Sequence, residues 1–208
     1  MSALLNLLLG YIIGSIQPGL IVGRVYRRID IREYGSGKTG FTNTLRALGP
    51  GAAVIVVVGD IAKGVIPVLL GRFVFDDPWA TALGASGAVI GHTFPMFAGF
   101  RGGRGVATSF GAFLAMAPLA ALATLIFGLV VLATTRYVSL MSVTGVILAF
   151  IVFTALIAVG QLPLPYLVFG VIATLAVAIN HLGNIQRLLA GTEPKLGQGG
   201  APRSPRGV

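Results

Sequence analysis

The segment Gly35-Ser36-Gly37-Lys38-Thr39-Gly40-Phe41-Thr42-Asn43-Thr44-Leu45-Arg46 alternates glycine with hydroxyl, amide and basic groups. Successive backbone N–H groups in such a turn converge on an anion, and no side chain obstructs the concavity. Lys38 and Arg46 add positive charge beside it, so the chemistry favoured is capture of phosphate oxygens. The run G-S-G-K-T-G matches the spacing of a dinucleotide fingerprint, but that site needs a preceding strand and a βαβ unit. Apolar segments flank it here instead. Gly37-Lys38-Thr39 also imitates the end of a nucleotide-binding loop, yet that loop's first glycine would fall at position 32, which is Arg. What remains is amide geometry suited to phosphate. The plain alternative is a flexible interhelical turn.

Two further constellations have the same character. Arg101-Gly102-Gly103-Arg104-Gly105 follows His92 and precedes an apolar helix, whose first N–H groups and partial positive charge suit an anion. A guanidinium such as Arg104 can clamp phosphate with two parallel hydrogen bonds. The plain alternative is a basic loop on the cytoplasmic side. The third is Asn180-His181-Leu182-Gly183-Asn184, where His181 and Asn184 share a face if the helix continues that far. With two His and no Cys in the chain, neither a metal centre nor a thiolate site is expected, and no cofactor is implied. Asp60 and Lys63, three residues apart in an apolar stretch, share a helix face and can pair. No Ser-His-Asp set is expected, because every acid lies far from both histidines along the chain.

These patches need elements to hold them, and the composition says which. Of 208 residues, 55% are hydrophobic and 10% charged, far from the roughly 25% charged of soluble domains. This is an integral membrane chain, and its 30 glycines suit close helix packing in lipid. The net charge of +9 is read as cytoplasmic loops rather than nucleic-acid binding. The first segment lacks a basic start and a clear cleavage site, so it reads as a retained span.

Spans are expected at about 3–23, 51–70, 80–97, 105–117, 119–134, 138–159 and 166–179. Pro118 divides what would otherwise be one long apolar run, leaving a short fourth span. That division places thirteen of the fifteen Lys and Arg on one side, all but Arg72 and the embedded Lys63. The expectation is therefore an all-α polytopic membrane protein of seven transmembrane helices, amino terminus outside and carboxyl terminus inside. Residues 1–197 form one domain, NIQRLLA (184–190) a short amphipathic helix, and residues 198–208 a disordered cytoplasmic tail. All three polar patches then fall beneath one leaflet.

The ordered motifs GSGKTGFTNTLR, Asp60-Ile61-Ala62-Lys63-Gly64, GHTFPMFAGFRGGRGVAT, RYVSL and NIQRLLAGTEPK resemble those of the bacterial membrane acyl-phosphate–glycerol-3-phosphate acyltransferases, over nearly the whole chain. The resemblance implies transfer of a fatty acyl group from acyl phosphate to the 1-position of glycerol 3-phosphate, giving lysophosphatidic acid at the cytoplasmic face of the cell membrane. It implies that Ser36, Gly37, Asn43 and Arg46 line the first loop, that Lys63 and His92 support it, that Gly102, Gly103 and Arg104 take phosphate, and that His181 and Asn184 complete the site. Substrates and membrane lipid are the implied partners, with contact to the enzyme supplying acyl phosphate also expected. Lys38 stands where the family usually has Asn, Phe41 where it has Ala, Arg101 and Arg104 where lysines are common, and Leu182 where a basic residue is frequent. A transporter of a small phosphorylated anion is the alternative, and a scaffold recruiting cytosolic proteins a third. The hydroxyl proton would go to His181 or to a substrate phosphate.

Overall fold

The computed structural model describes residues 1–198, and the tail expected from 198 onward lies, apart from Gln198, outside them. The regular structure of the described residues is all helical, with no strand among them. In chain order the helices are α1 (Ser2–Ser15), α2 (Pro18–Arg27), α3 (Phe41–Leu48), α4 (Pro50–Leu69), α5 (Pro78–Thr93), α6 (Val106–Met116), α7 (Pro118–Thr135), α8 (Val138–Ala158), α9 (Tyr166–Asn180) and α10 (Leu182–Leu189). A π-helical turn, Leu70–Val74, extends α4. All seven expected apolar segments are helical, and Pro118 separates α6 from α7 as its missing N–H requires. Four helical stretches, Ser2–Arg27, Pro50–Val74, Pro118–Thr135 and Val138–Ala158, are long and apolar enough to cross a membrane alone, and α9 with α10 forms a fifth bent by 53°.

The first expected span is not one helix. Pro18 opens α2 after a break at Ile16–Gln17. Leu20 N–H bonds back to Gln17 rather than to Ile16, so the Ile16 carbonyl is left for another donor, and Lys63 Nζ takes it at 2.8 Å. A proline thus creates the acceptor that anchors a buried cation. The last expected span ends at Asn180, within one residue of its expected bound, and the chain bends at His181 into α10, so His181 and Asn184 do not share a continuous helix face.

Small residues set the packing. A Cβ on Gly10 or Gly14 would collide with backbone of α5, and one on Gly87 or Gly91 with backbone of α1. Gly64 and Gly111 play the same part between α4 and α6. Such approach maximises dispersion contact where lipid offers no hydrophobic drive. Asn6 cross-links the far end, donating to the carbonyls of Pro67 and Ala80. The larger apolar core lies between α5, α6, α8 and α9 around Val89, Phe113, Phe153 and Phe169.

Candidate active site

The glycine-rich loop is organised by Asn43 at the start of α3. Its side-chain oxygen accepts from Ser36 N–H at 2.9 Å, and its amide donates to the carbonyls of Ile31 and Lys38 at 2.7 and 2.9 Å. Asn43 is buried and spends all these groups on the backbone, so it shapes the loop rather than facing solvent. Gly35 and Gly37 adopt left-handed conformations that other residues rarely take. Loop and second patch are joined by Gln17, in the α1–α2 break. Thr39 donates to the Gln17 oxygen at 2.6 Å, and the Gln17 amide donates to the His92 carbonyl at 3.3 Å.

Behind the loops lies a buried charged cluster. Lys63 Nζ is 3.0 Å from Asp60 Oδ1, and His92 Nδ1 is 3.4 Å from the same oxygen. An acid therefore does approach a histidine, contrary to the expectation from chain separation, because α4 and α5 run side by side. The backbone N–H of Gly103 donates to the His92 carbonyl and that of Gly102 to the Thr93 carbonyl. A Cβ on Gly103 would collide with the His92 imidazole. Lys63, His92, Gly102 and Gly103 are all buried, and they hold the Arg104 loop from below.

The loops converge on a cationic cleft. Lys38 donates to Asn180 Oδ1 at 3.2 Å, tying the first patch to the third across 142 residues of chain. Arg104, Arg46, Arg187 and Lys38 influence one another's charge, and among them sits one carboxylate, Glu193. Burial lowers the affinity of Arg104 for its proton to about 10, with Glu193 opposing and Arg187 and Arg46 adding to the shift. Burial, then repulsion from Arg104, pushes Lys38 down too. The Nε atoms of Arg46 and Arg104 are buried and have no hydrogen-bond partner among the described residues. Four cations facing one carboxylate, two of them with unspent buried donors, form a site short of negative charge.

His181 closes the cleft. Its Nδ1 lies 2.8 Å from the Val177 carbonyl. A carbonyl only accepts, so Nδ1 carries the proton and Nε2 is left as an acceptor. Asn184 donates to Glu193 Oε1 at 2.6 Å, and Arg187 donates to Glu193 Oε2 at 2.8 Å. Burial alone would raise the Glu193 carboxyl, but the bond from Asn184 leads the contacts that hold it below its usual range. From Glu193 the chain runs on as a strap to the turn between α7 and α8, where Leu196 N–H donates to the Arg136 carbonyl and Lys195 lies 5.5 Å from the Tyr137 ring centre.

Ser36, Gly37, Asn43, Arg46, Arg104, His181 and Asn184, expected at the site, lie in patches that the structure brings together. Gln17, Arg187 and Glu193, not expected there, join them. Glu193 had a signal: Gly191 after α10 takes a left-handed conformation that turns the chain back onto its own helix. No group of acids and histidines able to hold a metal occurs among the described residues.

Beside this cleft opens a second one, almost wholly apolar, of ≈ 740 Å³ including its mouth. Its rim includes Val106, two residues after Arg104, and Val177, which accepts from His181. Its deep end is walled by Phe113, Phe153 and Phe169.

A family model described as glycerol-3-phosphate acyltransferase matches residues 4–191. A glycerol-3-phosphate acyltransferase of Synechococcus sp. (strain JA-3-3Ab) is 48% identical over 198 residues, covering 95% of each chain. The one from Rubrobacter xylanophilus is 43% identical over 197 residues, covering 95% of this chain and 96% of its own. The crystal structure of PlsY (YgiH), an integral membrane glycerol 3-phosphate acyltransferase, in its glycerol 3-phosphate form superposes with TM-score 0.86 at 36% identity, covering 95% of this chain and 96% of that one. Its lysophosphatidic acid form gives 0.83 at 36% identity, over 94% and 95%. With its length matched almost end to end and its helices arranged alike, the chain belongs to the glycerol-3-phosphate acyltransferase family, a solved member of which is an integral membrane protein.

Proposed function

We propose that the protein transfers a fatty acyl group from acyl phosphate to the 1-hydroxyl of glycerol 3-phosphate, releasing lysophosphatidic acid and inorganic phosphate at the cytoplasmic face of a bacterial cell membrane. The observation that carries this is the junction of two clefts: one cationic and suited to two phosphates, the other apolar and suited to a chain. The glycerol 3-phosphate and lysophosphatidic acid forms of the similar crystal structures supply substrate and product of the same kind. Acyl phosphate is the activated donor that puts a second anion beside the first, matching the cationic excess.

In this mechanism Arg104 and Arg46 grip phosphate oxygens through their unspent donors, with Lys38 and the Ser36 hydroxyl completing the grip, while the Ser36 and Gly37 N–H groups are spent on Asn43 and Tyr34 and shape the loop. Asn43, Lys63, His92, Gly102 and Gly103 position these loops. The glycerol hydroxyl attacks the acyl carbonyl, the carbon–oxygen bond to phosphate breaks, and the hydroxyl proton ends on the departing phosphate. Cations close to that leaving group stabilise its developing charge, the large electrostatic term in such reactions. His181 Nε2 accepts a hydrogen bond from the attacking hydroxyl and orients it. With Lys38 and Arg104 beside it, a full second proton on this ring would add another cation to an already positive cleft, so the phosphate takes the proton. Asn184 and Arg187 hold Glu193, which keeps the cluster from flying apart before substrate arrives.

The chain crosses the membrane seven times in this proposal, with shorter α5, α6 and α9 shielded by their longer neighbours. Purified protein given acyl phosphate and labelled glycerol 3-phosphate should form labelled lysophosphatidate, and acyl-CoA should not replace the donor. Uptake of glycerol 3-phosphate into sealed vesicles without acylation would replace this proposal with a transporter.

A further inference from the structure

The apolar cleft has a definite end. Phe153 on α8 is 2% exposed and sits at the centre of an aromatic floor. Phe113 meets it edge-on at 5.2 Å and Phe169 at 6.0 Å between ring centres, while Tyr166 stacks at 6.3 Å. From Ser142 near the rim to Phe153 at the floor is eleven residues of one helix, about 17 Å of depth. Half the hydrocarbon thickness of a bilayer is about 15 Å, which is the reach of one lipid acyl chain. Three glycines, Gly128, Gly145 and Gly170, widen its walls. Around Gly145 the widening is unfilled: a Cβ there would meet nothing within 4 Å.

We infer that this floor is a length gauge, with Phe153 fixing the longest acyl chain accepted and Gly145 keeping the shaft open midway. The inference rests on the acyl-transfer reading above, and names a specificity determinant within it. A chain that fits exchanges lipid contact for equivalent contact with the cleft walls. One that overruns must bend or push aside four packed rings, which cores resist.

The test is a set of kcat/KM values with octanoyl, palmitoyl and arachidoyl phosphate for wild type and three variants in the same detergent. Gly145→Leu fills the shaft midway and should lower the palmitoyl-to-octanoyl ratio by roughly tenfold or more. Phe153→Ala removes the floor and should raise the arachidoyl-to-palmitoyl ratio by a similar factor. Ile147→Phe, on the exposed side of α8 and outside the cleft lining, should leave both ratios at wild-type values. If Phe153→Ala does not fold, Gly145→Leu still decides. Ratios that stay at wild type in Gly145→Leu, or activity lost equally at every length, overturn the gauge. Wild-type protein making no lysophosphatidate from any of the three donors overturns instead the acyl-transfer reading beneath it.

Discussion

Removing the Arg104 guanidinium takes away a cation already largely stripped of water, and with it a buried Nε that no described protein group pairs with. In the proposed mechanism that cation acts on charge developing at a phosphate, so Arg104→Ala should lower kcat/KM by about 10²–10³-fold. Arg104→Lys, which keeps the charge but loses the two-pronged geometry, should recover part of it, as steady-state kinetics with glycerol 3-phosphate varied will show. Glu193 makes a different prediction, about pH. Its folded carboxyl titrates below the ordinary range, so the stability it contributes is present above the unfolded value of about 4.3. That contribution is lost as pH falls through the lower folded value. Glu193→Gln should therefore be less stable than wild type near neutrality, and the gap should narrow in thermal unfolding curves taken between about pH 5 and pH 3. The two residues also differ in how visible they are in the sequence. Arg104 stands between glycines, a pattern that announces an anion loop. Glu193 is one acid in a polar stretch, and only the Gly191 turn and the donors of α10 make it a partner.

At the scale of elements, proline and glycine decide where the site sits. Pro18 breaks the first helix and exposes the Ile16 carbonyl to Lys63, whose partner Asp60 also meets His92. Lys63→Met strands a buried carboxylate beside a histidine, and should cost roughly 3–5 kcal/mol. The double variant Asp60→Asn, Lys63→Met should lose less than the two single losses summed, which apparent unfolding temperatures of the four proteins will reveal. Gly103→Ala should leave the helices intact but displace the Arg104 loop, since the added methyl meets the His92 ring. Circular dichroism unchanged, with the KM for glycerol 3-phosphate raised, is the expected pair of results. The sequence carried these helices plainly, because long apolar runs and Pro118 leave few choices. The Asp60–Lys63 pair was legible from helix spacing. Its third member was not, since nothing local says that α4 and α5 run side by side. The break near His181 was legible as well, because the apolar run ends near Ile179 and the amphipathic spacing of NIQRLLA starts at Asn184, but the 53° bend between the two helices was not.

For the whole molecule, the proposal depends on sidedness, and the chain is well suited to a direct measurement because it contains no cysteine. The Lys38–Asn180 bond and the strap from Glu193 to Arg136 place the three polar patches at one end of the helices. Asn6 and the Ser2–Asp77 hydrogen bond of 2.6 Å lie toward the other. Basic residues crowd the first end, and the proposal places that end in the cytoplasm by the positive-inside tendency. Single cysteines at exposed Arg27, Leu189 and Gln161 then report three positions against an empty background. Arg27→Cys and Leu189→Cys should resist an impermeant thiol reagent in intact cells and react after the membrane is opened. Gln161→Cys should react in both. A polar cleft that labelled from outside would place both anions where a cell's glycerol 3-phosphate is not, and the excess of positive charge around Arg104 would then need a different ligand. The reverse pattern leaves one geometry: two anions enter from the cytoplasm while the acyl chain stays in the leaflet, and the product departs into that leaflet.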